Sequence, residues 1–324
     1  MRDRADQKEC GAGRFILTGS SSLLRVRGLA DSLAGRVGRL PLYGLSEGEV
    51  RAAPADFAAR AVTIDDTLDA WRPVECDYAE LLARGGYPEV VSLPDRMRRR
   101  WFDGYLTGVV RRDLSELRKE VRPARVESLL RAIAGAQSGE LVKSKLADVT
   151  AVPASTITSY LDLLADVGLV ATVPPWTPNL RKREVGRPKM LVLDSGLALH
   201  LTRLTKEQLD ELAYREAYGA MLEGLVVAEL MRQRTWTGEE FDLYHFRDRN
   251  GLEVDAVMEL AGGRVVGIEV KAATSFRGSQ FDGLRSLRDA VGDRFVAGIV
   301  LNTGSESYRF SDRLYGLPIA SLWT

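Results

Sequence analysis

The feature that most constrains this chain is a glycine-centred turn between two strand-like runs toward its C-terminal end. Ala261-Gly262-Gly263 separates residues 253–260 from residues 264–272, and its length and composition suit a three-residue hairpin loop. Centring the loop on Gly262 sets the register, because strand side chains alternate faces with a period of two. Leu260 then opposes Arg264, Met258 opposes Val266, Ala256 opposes Ile268 and Val254 opposes Val270, which makes one nearly continuous apolar face. On the other face Asp255 falls directly across from Glu269, and Glu253 across from Lys271. Two carboxylates are thereby forced together, and like charges directly opposite destabilise a sheet unless something compensates.

A divalent cation is the obvious compensator, since Mg²⁺ takes oxygen ligands from one or two carboxylates with water and substrate phosphate completing its shell. Lys271, on the same face as Glu269, is placed to stabilise developing phosphate charge or to position an attacking water. Upstream, residues 219–232 read as a helix with an apolar stripe of Leu222, Leu225, Val226 and Leu230, whereas Glu223 and Glu229 need a separate explanation. Two readings stand side by side for Asp255, Glu269 and Lys271: a metal-assisted site, or a solvated polar face with a salt bridge.

With 324 residues, 45% hydrophobic and 28% charged, the chain is long enough for two or three folded domains and is neither disordered nor fibrous. Lys plus Arg equals Asp plus Glu at 45 each, so any affinity for nucleic acid must come from local patches. The densest runs from Arg96 to Arg131, with Asp103, Asp113, Glu116, Glu120 and Glu127 as its acids; it suits a phosphate backbone or a solvated helix face. Cys10 and Cys76 stand far apart and outside any C-x-x-C or Cys/His cluster, so neither a disulfide framework nor a structural zinc site is indicated, and a reducing compartment fits best. The charged start and the lack of 18 consecutive apolar residues predict a cytoplasmic protein with no membrane partner.

Residues 124–176 follow a helix, helix, helix, strand order: 126–136, 143–149 and 155–167, with Ser155 as N-cap, then 169–173. This is a winged-helix pattern. Acids slightly outnumber bases across it, so a protein or oligomer contact suits it at least as well as DNA. Arg181 to Lys189 is basic again and offers a second place for phosphate contact. Residues 190–193 read as a buried strand, and Asp194 as the cap of the following helix. His200 and His245 each stand alone near apolar residues, where packing or solvent contact outweighs catalysis or metal ligation. Residues 302–308 read as a loop before a final short strand.

The order helix with Glu223, strand, strand with Asp255, turn, strand with Glu269-Val270-Lys271 resembles the PD-(D/E)xK nuclease superfamily. That resemblance implies a restriction-endonuclease-like mixed sheet with flanking helices. It further implies Glu223, Asp255 and Glu269 as ligands of Mg²⁺ or Mn²⁺, Lys271 as catalytic lysine and Gln280 as a supporting residue. Over nearly its whole length the chain is similar to AAA-type ATPases that end in the domain of unknown function 4143. The blocks that carry this likeness are 13–20, 32–37, Gly85-Gly86-Tyr87-Pro88, Tyr105-Leu106, Arg112-Asp113, the winged helix, Leu193-Asp194-Ser195-Gly196-Leu197 and the nuclease-like end.

In that likeness Leu17-Thr18-Gly19-Ser20 corresponds to a sensor strand and Arg36 to an arginine that acts toward a γ-phosphate. The phosphate-cradling pattern G-x-x-x-x-G-K-[ST] and an apolar strand ending in Asp-Glu do not occur, so the resemblance is to an N-terminally truncated member with no ATP hydrolysis of its own. Ser20-Ser21-Ser22 then reads as a vestigial sensor loop or a helix cap, the cap being favoured. The resulting expectation is a mixed α/β chain in four parts: 1–55 an ATPase remnant, 56–123 a helical lid-like segment, 124–190 a winged helix and 191–324 a nuclease-like domain. Its activity would be metal-dependent phosphodiester cleavage. The alternatives are a non-catalytic nucleic-acid-binding scaffold, or an ATPase fragment that needs a further half.

Overall fold

The computed structural model describes Ile16, Gly38 and residues 40–324, except 54, 69–70, 72–74, 111–113, 115–120, 180, 182 and 184–185. The readings placed on Leu17 to Ser22, Arg36, Cys10, Arg112 and Asp113 lie outside the described residues. The described helices and strands all belong to the unit Leu40–Thr324.

Short helical turns at Glu47–Val50 and Phe57–Val62 precede α1 (Tyr78–Arg84) and α2 (Asp95–Gly108). Asp77 caps α1 by accepting from the Glu80 N–H at 2.9 Å, so one orphan amide of the first turn is satisfied. Then come α3 (Pro123–Gly135), β1 (Gly139–Glu140), α4 (Lys143–Thr150), α5 (Ala154–Asp166), β2 (Val170–Val173) and β3 (Lys189–Val192). α5 differs from expectation at its start. It begins at Ala154 after Pro153, with no side-chain cap, and Ser155 lies inside the first turn because the proline already sets the entry angle.

The three short strands form one antiparallel sheet in the order β1-β3-β2, with Gly139 opposite Met190 and Val170 opposite Val192. β3 is therefore the central strand of this small sheet, and the boundary read at 190/191 falls within it. Asp194 caps α6 (Ser195–Thr202) as the sequence predicts, accepting from the Leu197 N–H at 2.8 Å, and its second oxygen accepts from the Gly86 N–H at 2.7 Å.

After α6, a long helix α7 (Arg215–Gln233) leads into β4 (Phe241–Arg247), β5 (Glu253–Leu260) and β6 (Val265–Lys271). Next come α8 (Asp282–Val291), β7 (Phe295–Asn302), β8 (Tyr308–Ser311) and β9 (Leu314–Pro318), so two strands follow the predicted loop rather than one. The sheet order is β4-β5-β6-β7-β9-β8, antiparallel from β4 to β6, parallel from β6 through β7 to β9, and antiparallel again at β8. It is a mixed sheet within a mixed α/β chain. Among the described residues no helix is long and apolar enough to cross a membrane.

Both faces of this sheet are buried. Leu222, Val226 and Leu230 of α7 share one apolar cluster with Ala256, Met258, Val266 and Ile268. Leu284 and Leu287 of α8 share another with Val257, Val265 and Val300. The face read as polar is thus solvated nowhere along its middle: Val257 and Val265 lie there fully buried beneath α8. α8 comes in closely because Gly283 has no side chain; a Cβ there would overlap the Glu253 carbonyl.

Candidate functional site: an acidic cluster closed by a lysine

The hairpin behaves as its turn predicts over its first half. Ala256 opposes Ile268, Met258 opposes Val266, and Leu260 donates its N–H to the Arg264 carbonyl at 2.8 Å. Beyond Ala256 the expected pairing stops: Val254 does not oppose Val270, and Asp255 does not oppose Glu269 in the ladder. The cause is a β-bulge. Tyr244 opposes Val257 while Phe246 opposes Val254, so β5 uses one more residue than β4 over this stretch. The extra residue reverses the phase of alternation. Ala256 remains in the α7 cluster while Val254 turns into the α8 cluster, and Asp255 sits at the reversal.

The freed end of the ladder is reused. Asp255 Oδ2 accepts from the Val270 backbone N–H at 2.9 Å, in place of a strand carbonyl. Its Oδ1 and Glu223 Oε1, which reaches in from α7, both accept from the Lys189 ammonium, at 3.1 and 2.7 Å. Glu269 and Lys271 form a second ion pair in the same cluster. The structure thus brings Glu223, Asp255, Glu269 and Lys271 together, and adds a residue that the sequence pattern assigns elsewhere.

Lys189 is that residue. Expected in a phosphate-contacting segment, its side chain is only 8% exposed and faces carboxylates rather than solvent. Arg183 of the same segment is also sequestered, with its guanidinium clamped on Glu259 at 2.5 and 2.8 Å. Arg181 and Arg187 remain at the surface. A signal for Lys189 does exist: it opens a strand that is otherwise Met190-Leu191-Val192, and a lysine in a buried strand needs acidic partners. Glu223 on an otherwise apolar stripe is the matching half.

Electrostatics follow from burial. Desolvation and the neighbouring Asp255 charge push the Glu223 carboxyl well above the usual range. The same two causes push Glu269 up to about 8. For Lys189, burial pulls the ammonium down, but Asp255 and Glu223 more than offset this and its affinity for the proton rises. Lys271 shows the same balance, with Glu269 as its main partner. It is the most open member of the cluster, its side chain 35% exposed.

Two residues beyond Lys271, a polar cavity of about 310 Å³ is lined by Arg215, Ala273, Thr274, Ser275, Arg277 and Gln280. Gln280 does not support the acidic cluster directly; its Oε1 accepts from the Arg277 N–H at 2.9 Å and closes a helical turn. His245 is buried, its Nε2 3.0 Å from the Arg187 carbonyl. His200 pairs with Asp103 at 3.0 Å rather than standing alone. In the basic run that starts at Arg96, Arg98 is buried against Glu80 and Asp95 at 2.7 and 3.1 Å, while Arg96, Arg99 and Arg100 are exposed.

Whether the acidic cluster fits a divalent cation has two answers. The donor chemistry fits, because three carboxylates supply hard oxygen ligands and Glu269 Oε2 is buried with no hydrogen-bond partner among the described residues. The arrangement as it stands does not. The oxygens of Glu223 and Asp255 are spread about the Lys189 ammonium, and no group of three acidic, His or Cys side chains among the described residues is gathered for a metal.

Comparison with known proteins divides the chain at about the same place as the cluster does. Residues 75–208 match a domain of unknown function (DUF8612), and residues 218–322 match a domain of unknown function (DUF4143). The uncharacterized proteins Rv2008c of Mycobacterium tuberculosis and Mb2031c of Mycobacterium bovis are each 28% identical over 315 residues, 96% of this chain. The chain spans 63% of the length of each of these relatives. An uncharacterized protein of Haemophilus influenzae is 27% identical over 68% of this chain and 51% of its own. The crystal structure of protein VC1899 from Vibrio cholerae aligns over 84% of this chain and 59% of its own at 14% identity, with a TM-score of 0.26 that assigns no fold. Lys189 thus lies in the DUF8612 segment, and Glu223, Asp255, Glu269 and Lys271 in the DUF4143 segment.

Proposed function

We propose that residues 218–322 carry a PD-(D/E)xK-like nuclease site that acts on nucleic acid, with Glu223, Asp255 and Glu269 as its carboxylates and Lys271 as its substrate-facing cation. The single observation that supports this most is the forked end of β5 and β6. There the bulge and the Asp255 to Val270 hydrogen bond turn one carboxylate out of the ladder toward Glu223, and leave Lys271 at the open rim.

A bound divalent cation would polarise a phosphoryl oxygen and lower the pKa of its water. The chain's own part is to hold the carboxylates in a dry cluster, and to present the Lys271 ammonium where negative charge grows on phosphate. Arg215 and Arg277, at the polar cavity beyond Lys271, extend a positive rim along which a phosphate backbone can lie.

The helix, helix, helix and small-sheet order of residues 123–192 supports reading that part as a winged helix, and Arg96, Arg99 and Arg100 offer it a basic neighbour. The likeness of residues 1–55 to an AAA-type ATPase core belongs to this proposal as well, with no ATP turnover assigned to a sequence that has no phosphate cradle. A second reading is favoured by Lys189: a fold whose cation place is filled by its own lysine serves as a non-catalytic nucleic-acid-binding scaffold.

Cleavage of supercoiled and single-stranded DNA with Mg²⁺ or Mn²⁺ separates the two. The nuclease reading expects cutting that falls roughly 100-fold or more in Lys271→Ala, in line with loss of one charge-stabilising donor. Binding without cutting by the wild type supports the scaffold, and cutting that survives Lys271→Ala overturns the assignment of that residue.

A further inference from the structure

Lys189 is the one cation that touches both Glu223 and Asp255 among the described residues. It arrives from β3, the central strand of the small sheet, 34 and 66 positions away from these partners in sequence. Three further contacts join the small sheet and the loop after β2 to β4, the edge strand of the large sheet. Trp176 donates its backbone N–H to the His245 carbonyl at 2.6 Å, His245 donates its own to the Pro174 carbonyl at 3.0 Å, and Arg247 pairs with Glu140 at 3.0 Å. The ammonium is therefore presented by a docked element and not by a loose loop. A monovalent ammonium and a hard divalent cation want the same oxygens, and both cannot sit between carboxylates that already bracket one nitrogen at 2.7 and 3.1 Å. A lysine has a flexible four-carbon stem and can withdraw without movement of its strand.

We propose that Lys189 is the resident cation of the acidic cluster, and that a divalent cation enters only by displacing its ammonium from Glu223 and Asp255. Metal loading of the DUF4143 segment is thereby governed by a residue of the DUF8612 segment, and the two segments are coupled through one side chain. This rests on the nuclease reading of the same carboxylates. Anything that draws β3 away from the cluster, such as a ligand on the small sheet, raises metal affinity; anything that presses it in lowers it.

The test is calorimetric titration of Mn²⁺ into the whole chain, wild type beside Lys189→Met and Lys189→Gln. Glutamine keeps a hydrogen-bond donor toward Glu223 without the charge, and serves if methionine leaves the carboxylates too exposed to one another for folding. Affinity for Mn²⁺ is expected to rise by at least about tenfold in either variant, the range typical of coupled sites. Saturating Mn²⁺ is expected to raise the melting temperature of the variants by more than that of the wild type. Equal affinity in wild type and variants overturns displacement and leaves the nuclease reading intact. Tighter metal binding in the variants without DNA cleavage supports displacement and overturns the nuclease reading. Absence of Mn²⁺ binding in all three overturns both.

Discussion

Glu223 and Glu229 lie on one helix, and both interrupt its apolar stripe, yet they do different work. Glu223 turns to Lys189 and the acidic cluster, whereas Glu229 accepts from the Glu47 N–H at 3.1 and 3.2 Å and from Arg232 at 2.8 Å, entirely out of solvent. It joins α7 to the Glu47–Val50 turn, where Glu47 in turn pairs with Arg84. Removing one member of a buried charged network leaves the others uncompensated, so Glu229→Ala is expected to cost about 3 kcal/mol in urea unfolding. Mn²⁺ binding should be unchanged. A loss of metal affinity in that variant, with stability intact, would show that the two glutamates had been assigned the wrong way round.

His245 gives a pH signature. Burial, with Lys189 as a further repelling charge, drops its imidazole to about 4, whereas an unfolded histidine titrates near pH 6.5. Between those values the unfolded chain binds the extra proton, so stability rises with pH and is lost on acidification from about 6.5 toward 4. The full difference is roughly 3 kcal/mol. His245→Asn is expected to flatten that loss when urea unfolding is compared at pH 7 and pH 4.5. Parallel losses in variant and wild type would contradict neutral burial of the imidazole.

Among the elements, the hairpin shows how far local chemistry reaches. Ala261-Gly262-Gly263 places Gly262 and Gly263 at φ 75° and 71°, the conformation that glycine adopts freely, and this sets the pairing from Leu260 back to Ala256. The end of that pairing cannot be read from the two strands alone, because the bulge lies in the pairing of β5 with β4, a third strand. The same holds for Lys189. Its strand and the Asp194 cap after it are visible in the sequence, but its acidic partners lie on other elements and only tertiary docking brings them together. Ser155 misleads for a local reason, since the helix takes Pro153 as its N-cap, two residues earlier. The alternative of a solvated face does not hold at Val257 and Val265, because α8 covers them, and Gly283 is what lets α8 come close. Gly283→Ala should therefore destabilise the fold by about 1–3 kcal/mol, as overpacking does, by pushing α8 off the Glu253 carbonyl. Unchanged stability on thermal melting would mean that the helix has room to shift.

For the whole molecule, a balanced charge leaves any attraction for a polyanion to local patches, and some of their basic side chains are already engaged within the protein. Arg183, Lys189 and Arg98 are occupied within the protein, while Arg96, Arg99, Arg100, Arg215 and Arg277 face outward. The two family segments meet where Lys189 enters the acidic cluster, the place at which we propose that a divalent ion competes with its ammonium. The most direct measurement is Mn²⁺ stoichiometry by calorimetry in Lys189→Met, beside the double variant Lys189→Met with Asp255→Asn. The expected result is one ion per chain in the first and none in the second. An ion retained at full affinity after Asp255→Asn would place the metal elsewhere and contradict the assignment of this cluster.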